Sequence, residues 1–318
     1  MRTKWLSGRR GAGSASPTTD GPPASGPAAS GPASAEERLS AFWQEAMSGD
    51  RVRHHLLRHP LVSLRAIALI RDLPRLDAAL SDSPAGRVLR GHLSRRALVV
   101  APMAATGACV LEVPAAPADY SAGPHRQTLR RKVRAAQRAG TVCRVVADLE
   151  EQRVLMALLD AALSSKTDAR YRRLETDHSW LVGAGLCMVA EDPSGNPLVV
   201  AVSPHDGEWA SLECFISYGE TPQHSDARYL LTQALVEQLS QLGVRHLLDT
   251  VSPHAVRNGL RHFQRMLGFR IARVRVTHRP DPGAPAAAAV GTEVSSAVLG
   301  PGRGRPARAA TPPLADHS

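Results

Sequence analysis

The fold is decided by the segment WASLECFIS, residues 209–217, and the segment ARYLLTQALVEQLSQL, residues 227–242. In the first segment, bulky residues alternate with small or polar ones, a pattern that predicts a half-buried β-strand. In the second segment, leucine and alanine recur at the spacing of an amphipathic helix. A loop containing Gly219 and Pro222 joins them. This order of strand, loop and helix places backbone N–H groups at a helix start, where an anion can bind.

The flanking sequence extends the pattern in both directions. Toward the C-terminus, a short strand is predicted at 244–249, a helix at 253–267 and a last strand at 268–276. Toward the N-terminus, tight turns separate short apolar runs at 186–191 and 198–204, which predicts an antiparallel meander. The predicted class is α/β (α+β), with a mixed, mostly antiparallel twisted sheet that is flanked by helices and preceded by an N-terminal helical extension.

The two ends of the chain differ in composition from the middle. Residues 1–35 and 280–318 consist mainly of Gly, Pro, Ala, Ser and Thr. Such segments bury too little apolar surface to offset the entropy lost on ordering. We therefore expect a disordered tail at 1–35, a helical extension at 36–95, one domain at 96–279 and a second disordered tail at 280–318.

The formal net charge of +10 is concentrated in one segment, RQTLRRKVRAAQRAG at 126–140. Arg130, Arg134 and Arg138 recur every four residues beside an apolar stripe, and like charges at this spacing repel each other. A helix that carries this repulsion is a candidate for binding phosphate, nucleic acid or a lipid headgroup. The alternative is a solvated helix face. The candidate contact residues are Arg130, Arg131, Arg134 and Arg138.

Cysteines, apolar runs and histidines restrict the remaining possibilities. Cys109, Cys143, Cys187 and Cys214 form no C-x-x-C pair, which predicts buried free thiols and a cytoplasmic location. The longest apolar run, 97–111, is too short to span a bilayer and is interrupted by Pro102 and Gly107. His55 and His59 have the spacing of a metal pair, but no third ligand is apparent, so no metal site is predicted.

The order of elements from Val142 to Thr277 resembles the GNAT acyltransferase superfamily. The segment LRRKVRAAQRAG at 129–140 looks like the basic element of FemAB-like members, and NGLRHFQRMLGF at 258–269 is similar to the C-terminal helix that ends in Gly-Phe. This resemblance implies transfer of an acyl group from acetyl-CoA or another acyl-CoA to a small-molecule or peptide amine. It also implies a GNAT-like arrangement of the sheet.

In the family, a glycine-containing loop after the fourth strand holds the coenzyme A pyrophosphate. The aligned residues here, 222–227, contain no glycine, and Ser225 and Asp226 are expected as helix N-cap and first-turn acid. Arg228 could offset part of the Asp226 charge. The resemblance implies cofactor contacts by Phe215, Ile216, Ser217, Gln223, Ser225, Ala227, Arg228 and Asn258.

The resemblance also suggests catalytic residues. The position of the family's general-acid tyrosine holds Gln264 here, so His262 and His254 are the nearby candidates for proton transfer. Glu213 is the candidate base, because the family often uses a strand acid at this point. Strand alternation predicts Ser211, Glu213 and Phe215 on one face, with Leu212, Cys214 and Ile216 on the other.

Three functions remain open at this stage. The first is an N-acyltransferase that uses an acyl-CoA donor. The second is a FemAB-like aminoacyl transferase whose basic helix contacts an aminoacyl-tRNA. The third is a non-catalytic binding or scaffold protein on the same fold, which the missing glycines and tyrosine would permit. The sequence gives no indication of the oligomeric state.

Overall fold

The computed structural model describes residues 34–47, 59–98, 101–166, 176–253 and 258–280. The two predicted tails lie almost wholly outside these ranges, as do His55 and the candidate catalytic residue His254. Eight α-helices are found within the described residues: α1 Ala35–Met47, α2 Pro60–Arg71, α3 Pro84–Ser94, α4 Met103–Thr106, α5 Gln127–Arg138, α6 Leu149–Ser164, α7 Pro222–Gln241 and α8 Asn258–Leu267.

Twelve β-strands are found in the same ranges: β1 Arg75–Leu80, β2 Arg96–Leu98, β3 Ala101–Pro102, β4 Ala108–Glu112, β5 Val142–Val145, β6 Leu186–Glu191, β7 Pro197–Ser203, β8 His205–Asp206, β9 Trp209–Leu212, β10 Cys214–Ser217, β11 His246–Asp249 and β12 Arg270–His278. They form a six-stranded sheet in the order β1-β12-β4-β11-β9-β8, a four-stranded sheet in the order β10-β7-β6-β5, and a β2-β3 ribbon.

The predicted fold class is confirmed, because helices flank sheets that are mostly antiparallel. Only the β1–β12 and β9–β11 pairs are parallel among the described strands. The predicted runs 186–191 and 198–204 form the antiparallel hairpin β6–β7, and β5 and β10 pair antiparallel on either side of it. The structure differs from the expectation in one respect, since two main sheets take the place of a single one.

The stretch 36–95 is not helical throughout, which corrects the expected helical extension. It contains β1, whose register with β12 runs from the Arg75–Arg273 pair to the Leu80–His278 pair. The closing strand β12 also pairs with β4, and it has no ladder with β11. Residues before position 96 thus supply an edge strand of the six-stranded sheet.

Helices cover both faces of the sheets. One large core joins inner residues of both sheets to α5, α7 and α8, and includes Leu129, Leu231 and Leu267. On the opposite side, Leu89 and Leu93 of α3 pack against the six-stranded sheet. Likewise, α6 packs against the four-stranded sheet there. The burial of these apolar side chains is the main source of stability.

A buried carboxylate joins three separate parts of the six-stranded sheet. Asp206 of β8 accepts hydrogen bonds from the Ser81 backbone N–H at 2.6 Å and from the Ser81 hydroxyl at 2.8 Å. Arg279, which follows β12, contacts the same carboxylate at 2.6 Å. Asp206 is only 5% exposed, and its side chain therefore satisfies polar groups that would otherwise be buried without a partner.

Candidate functional site

The predicted strand 209–217 is interrupted at Glu213, and its two halves belong to different sheets. Trp209–Leu212 pairs in parallel with His246–Asp249. Cys214–Ser217 pairs with β7 and forms the edge of the four-stranded sheet. Beyond Leu212 and Asp249, the two parallel strands therefore separate. A gap between paired strands leaves backbone N–H and C=O groups along the β10 edge for a ligand.

The interruption changes which side chains share a face. Leu212 and Phe215 both pack against the core that contains α7 and α8. Cys214 and Ile216 pack against α6 on the other side. The predicted grouping of Glu213 with Phe215, and of Leu212 with Cys214, was therefore wrong. Strict alternation does not continue through the irregular residue.

A cleft of about 530 Å³ opens where β10, the start of α7 and α8 meet. Four of the predicted cofactor-binding residues line it, namely Phe215, Ser217, Ser225 and Arg228. Phe263 of α8 forms one wall, with its ring stacked on Phe215 at a centroid distance of 6.2 Å. This cleft has the position that the strand–loop–helix order predicted.

Two cations border the cleft. Arg228 donates from Nε to the Ser217 hydroxyl at 2.7 Å, and its guanidinium lies 5.9 Å from the centre of the Phe263 ring. Lys166 lies 3.5 Å from Glu220 and has an 11% exposed side chain. These contacts fix the positions of both cations. Glu220 also lines the cleft and is offset by Lys166, so Arg228 and the nearby helix N-terminus favour negative charge there.

The helix begins earlier than the sequence suggested. The N-cap of α7 is Thr221, so Ser225 and Asp226 lie inside the helix and not at its cap. Asp226 accepts a hydrogen bond from Lys132 of α5 at 2.6 Å. The Asp226 charge is therefore offset by a lysine of a neighbouring helix, and Asp226 is not the first-turn acid that the sequence predicted.

The cleft also contains residues that the sequence analysis did not single out. The Thr221 hydroxyl and His224 Nδ1 lie 2.7 Å apart, and both side chains line the cleft. Burial, followed by the charges of Arg228 and Lys166, lowers the pKa of His224. Gly219 permits this arrangement, because a Cβ there would lie 2.5 Å from the His224 ring. His224 is the third residue of α7, and no motif or residue spacing around it indicates a role in binding.

Of the other four predicted cofactor residues, three lie outside the cleft, and the side chain of the fourth, Asn258, is not among those that the structure describes. Ala227 is fully buried in the core, and Ile216 packs on the α6 side. Gln223 is half-buried on the first turn of α7 and does not line the cleft. Asn258 is the first residue of α8. The structure thus brings together four of the eight predicted cofactor residues.

Glu213 lies in a polar cluster on the α3 side of the sheet. Its carboxylate is 4% exposed, contacts His92 Nε2 at 2.9 Å and accepts from the Ser211 hydroxyl at 2.6 Å. Arg95 Nη2 lies 3.1 Å from His92 Nδ1. Since a guanidinium can only donate, Nδ1 accepts and the His92 proton is on Nε2, directed at Glu213. His92 and Arg95 belong to the segment expected to be a mere extension, and no local motif indicates them.

The remaining catalytic candidates are not near this cluster. His262 is exposed on α8 and lines neither the cleft nor the Glu213 cluster. Gln264, at the tyrosine position, donates to the buried Asp249 at 2.7 Å. Burial raises the pKa of the Asp249 carboxyl. Burial likewise raises the pKa of Cys214 to about 12, so that this thiol is not a nucleophile near neutral pH.

The basic helix α5 divides into residues with structural partners and residues facing solvent. Arg130 donates to the backbone oxygens of Ser121 and Gly123, each at 2.7 Å, so it does not belong to an exposed stripe. Arg131, Arg134 and Arg138 are exposed and line a shallow groove. None of these three is within 4.0 Å of a carboxylate among the residues that the structure describes.

The described ranges contain neither a metal-binding cluster nor a membrane-spanning helix. No group of three or more His, Cys, Asp or Glu side chains is arranged to hold a metal ion there. In the same ranges, no helix combines the length and apolar character that crossing a membrane requires.

No protein-family model and no curated protein matches this chain. Among solved structures it is similar to L-PGS from Bacillus licheniformis, with 15% identity and a TM-score of 0.37 over 52% of this chain and 57% of that chain. The C-terminal domain (DUF2156) of a putative lysylphosphatidylglycerol synthetase from Agrobacterium fabrum matches with 14% identity and a TM-score of 0.39, covering 52% and 58%.

A GCN5-related N-acetyltransferase from Kribbella flavida is also similar, with 18% identity and a TM-score of 0.29 over 52% of this chain and 55% of that chain. The matched regions span less than two thirds of each of these three chains. At these identities and TM-scores, the similarity carries no conclusion about activity or about individual site residues.

Proposed function

We propose that this protein is a GNAT-like N-acyltransferase that takes an acyl group from acetyl-CoA or another acyl-CoA and transfers it to an amine. The observation that carries the proposal is the cleft at the start of α7, beside β10, which diverges from the β9–β11 pair after Leu212. An extended donor with an anionic end fits this combination, because a cationic helix start lies next to a strand edge without a strand partner.

The donor's pyrophosphate is assigned to the N-terminal turn of α7. An α-helix start offers backbone N–H groups that have no partner inside the helix, and its dipole favours an anion. Arg228 and Lys166 add positive charge at the same place. The amide groups of the pantetheine chain are assigned to the free edge of β10, at residues 214–217. Phe215 and Phe263 supply an apolar wall.

Proton transfer is assigned to Glu213, with His92 and Ser211 as positioning residues. The amine nitrogen attacks the thioester carbonyl carbon, the C–N bond forms and the C–S bond breaks. The thiolate leaves with the electron pair of the C–S bond, and the amine proton passes to the Glu213 carboxylate. Because Glu213 faces α3 while Phe215 faces α7, donor and acceptor approach from opposite sides of the gap. Holding the donor and the acceptor next to each other in this way accelerates the reaction by positioning the amine for attack.

The test is calorimetric titration of the full chain with acetyl-CoA. We expect micromolar binding, and Arg228→Gln should weaken it by about tenfold or more, since a hydrogen bond to a charged group contributes roughly 1.5–3 kcal/mol. Arg245→Gln is the matched control, because Arg245 is exposed and lines no cleft described here. Failure to bind at millimolar acetyl-CoA would overturn the acyl-CoA proposal.

A second candidate is aminoacyl transfer from an aminoacyl-tRNA, as in FemAB-like enzymes. It is favoured by the exposed Arg131, Arg134 and Arg138, and by the Lys132–Asp226 contact that joins α5 to the first turns of α7. A polyanion on α5 could therefore place its end in the same cleft. This candidate gains weight if acetyl-CoA does not bind.

The tRNA candidate is tested by replacing Arg131, Arg134 and Arg138 with Gln while keeping Arg130. We expect weaker tRNA binding and a salt dependence reduced by about 2–3 in the log–log slope, if each arginine contacts one phosphate. An unchanged slope would exclude α5 as the contact surface. A protein that binds neither acetyl-CoA nor tRNA would leave the scaffold alternative.

A further inference from the structure

A second cleft is lined by strands of the six-stranded sheet and by residues next to α5 and α8, and it has no part in the proposed transfer. Its volume is about 390 Å³, and its floor is formed by apolar side chains of β1, β4 and β12, including Leu76 and Val110. His246, at the start of β11, and Tyr120 form walls. The two clefts have no lining residue in common, and the donor cleft is lined by no residue of β11.

Arg126 has a fixed position in this second cleft. Its guanidinium lies 5.0 Å from the centre of the Tyr120 ring and donates to the Met266 backbone oxygen at 3.3 Å. It also lies against Gly268, where a Cβ would be 2.0 Å from Nη2. Tyr120 is fixed in turn, because its hydroxyl donates to the Leu267 oxygen at 2.8 Å. The end of α8 thus holds the guanidinium before any ligand arrives.

The fixed guanidinium retains unused binding capacity. A guanidinium has five N–H donors, and the Met266 oxygen takes one of them. No carboxylate lies within 4.0 Å of Arg126 in the described part of the chain. A planar, preorganised guanidinium binds a carboxylate through two parallel hydrogen bonds. Arg126 is therefore suited to the carboxylate end of a ligand.

The rim of the cleft carries charges of both signs, namely two carboxylates and Arg270, whose guanidinium is paired with Glu36 at 3.7 Å. Glu112 and Asp119 are exposed lining residues, and neither forms an ion pair within the described ranges. His246 lies directly opposite Glu112 in the β4–β11 ladder. Its Nδ1 is buried and has no hydrogen-bond partner among the residues described. The cleft thus offers one fixed cation, two carboxylates, one polar ring atom and an apolar floor.

We propose that this cleft binds a small zwitterion with an aliphatic side chain, that is, a free aliphatic α-amino acid. Arg126 binds the α-carboxylate, Glu112 and Asp119 bind the α-ammonium group, and Leu76 and Val110 contact the side chain. A ligand with only a carboxylate would leave Glu112 and Asp119 without a partner. A ligand with only an ammonium group would leave Arg126 without one. The site is independent of the proposed acyl transfer and would remain if that proposal failed.

The test is calorimetric titration of the full chain with L-leucine, 4-methylpentanoate and leucinamide. Leucine has both charged groups, whereas 4-methylpentanoate lacks the ammonium group and leucinamide lacks the carboxylate. We expect leucine to bind and each analogue to bind at least tenfold more weakly. Glycine should also bind more weakly, since it lacks the aliphatic contact. Failure of leucine to bind, or equal binding of an analogue that lacks one charge, overturns the proposal.

Variants then locate the binding site. Arg126→Gln removes the guanidinium, and Gly268→Ala displaces it; each should reduce leucine affinity at least tenfold, while Arg153→Gln, on the exposed face of α6, leaves it unchanged. If either of the first two variants fails to fold, the exposed double substitution Glu112→Gln and Asp119→Asn decides, with the same expected loss. Leucine affinity that is unaffected in a folded variant of either kind would place the amino acid elsewhere and overturn the assignment.

Discussion

The two halves of one strand, β9 and β10, differ in what they pair with. Trp209–Leu212 has a strand on each side, β11 and β8, and its tryptophan is 1% exposed. Among the described strands, Cys214–Ser217 has a neighbour on one side only, β7, and its Phe215 and Ser217 line the donor cleft. A single irregular residue, Glu213, separates a part of the strand that stabilises the fold from a part that is available for binding.

The largest expected effect is on the fully paired half. Leu247 of β11 is opposite Ala210 of β9 and is completely buried. Leu247→Ala should reduce the free energy of unfolding by about 3 kcal/mol, in the usual range for a buried leucine, because it removes apolar contacts and leaves a cavity. Urea denaturation measures the change. A loss below about 1 kcal/mol would contradict the view that this half stabilises the fold.

A somewhat smaller loss is expected at the edge of the same half. Asp206→Ala removes the acceptor of the buried Ser81 N–H, which should cost about 2 kcal/mol. Asp77→Ala is the control, since Asp77 forms an exposed pair with Arg275 and should have little effect. Thermal unfolding of both variants would show the difference, and equal melting temperatures would contradict the structural role of Asp206.

In the β10 half, a substitution should reduce stability less and ligand binding more. Phe215 is only partly buried, and Phe215→Ala is expected to cost about 1–2 kcal/mol of unfolding free energy, less than Leu247→Ala. On the proposed function, however, it should weaken acetyl-CoA binding at least tenfold, and Leu247→Ala should not if the protein remains folded. Unfolding and acetyl-CoA binding should be measured for both variants. An equal loss of binding by the two would contradict the distinction between the β9 and β10 halves.

The smallest expected effect concerns pH. Burial lowers the pKa of His246, with Arg245 also lowering it and Glu112 and Glu208 opposing. As the pH falls, the unfolded chain takes up this proton first, so the contribution of His246 to stability is present above about pH 6.5 and is lost below it. His246→Gln should therefore lose less stability between pH 7 and pH 5 than the unaltered protein. His224→Gln should act in the same direction through its own lowered pKa.

Much of the fold was predictable from local sequence. Side-chain spacing and turn residues predicted extended structure within 209–217, the α7 helix, and the strands β6 and β7. The structure contains each of them, with the first divided into β9 and β10. The position of the cleft beside the start of α7 was also predicted, through the order of strand, loop and helix. These features depend on neighbouring residues, so the sequence pattern is sufficient to indicate them.

The features that were missed depend on distant partners. The segment RLDAAL at 75–80 is a strand because β12 is beside it, and no alternation in six residues could identify a partner some 200 positions later. The interruption at Glu213 separates two sheets whose existence is not visible locally. His92 and Arg126 likewise acquire their neighbours only through the tertiary fold.

The position of β1 beside β12 has a consequence for how the protein is made. Both partners of β4, namely β11 and β12, and the partner of β1 lie at the C-terminal end of the described chain. During synthesis, β1 and β4 therefore leave the ribosome long before the strands that complete their sheet. Pairings between such distant segments close slowly and leave apolar strands open to aggregation in the meantime. The completion of the six-stranded sheet should accordingly be the late step of folding, and this half of the molecule should depend most on protection by chaperones.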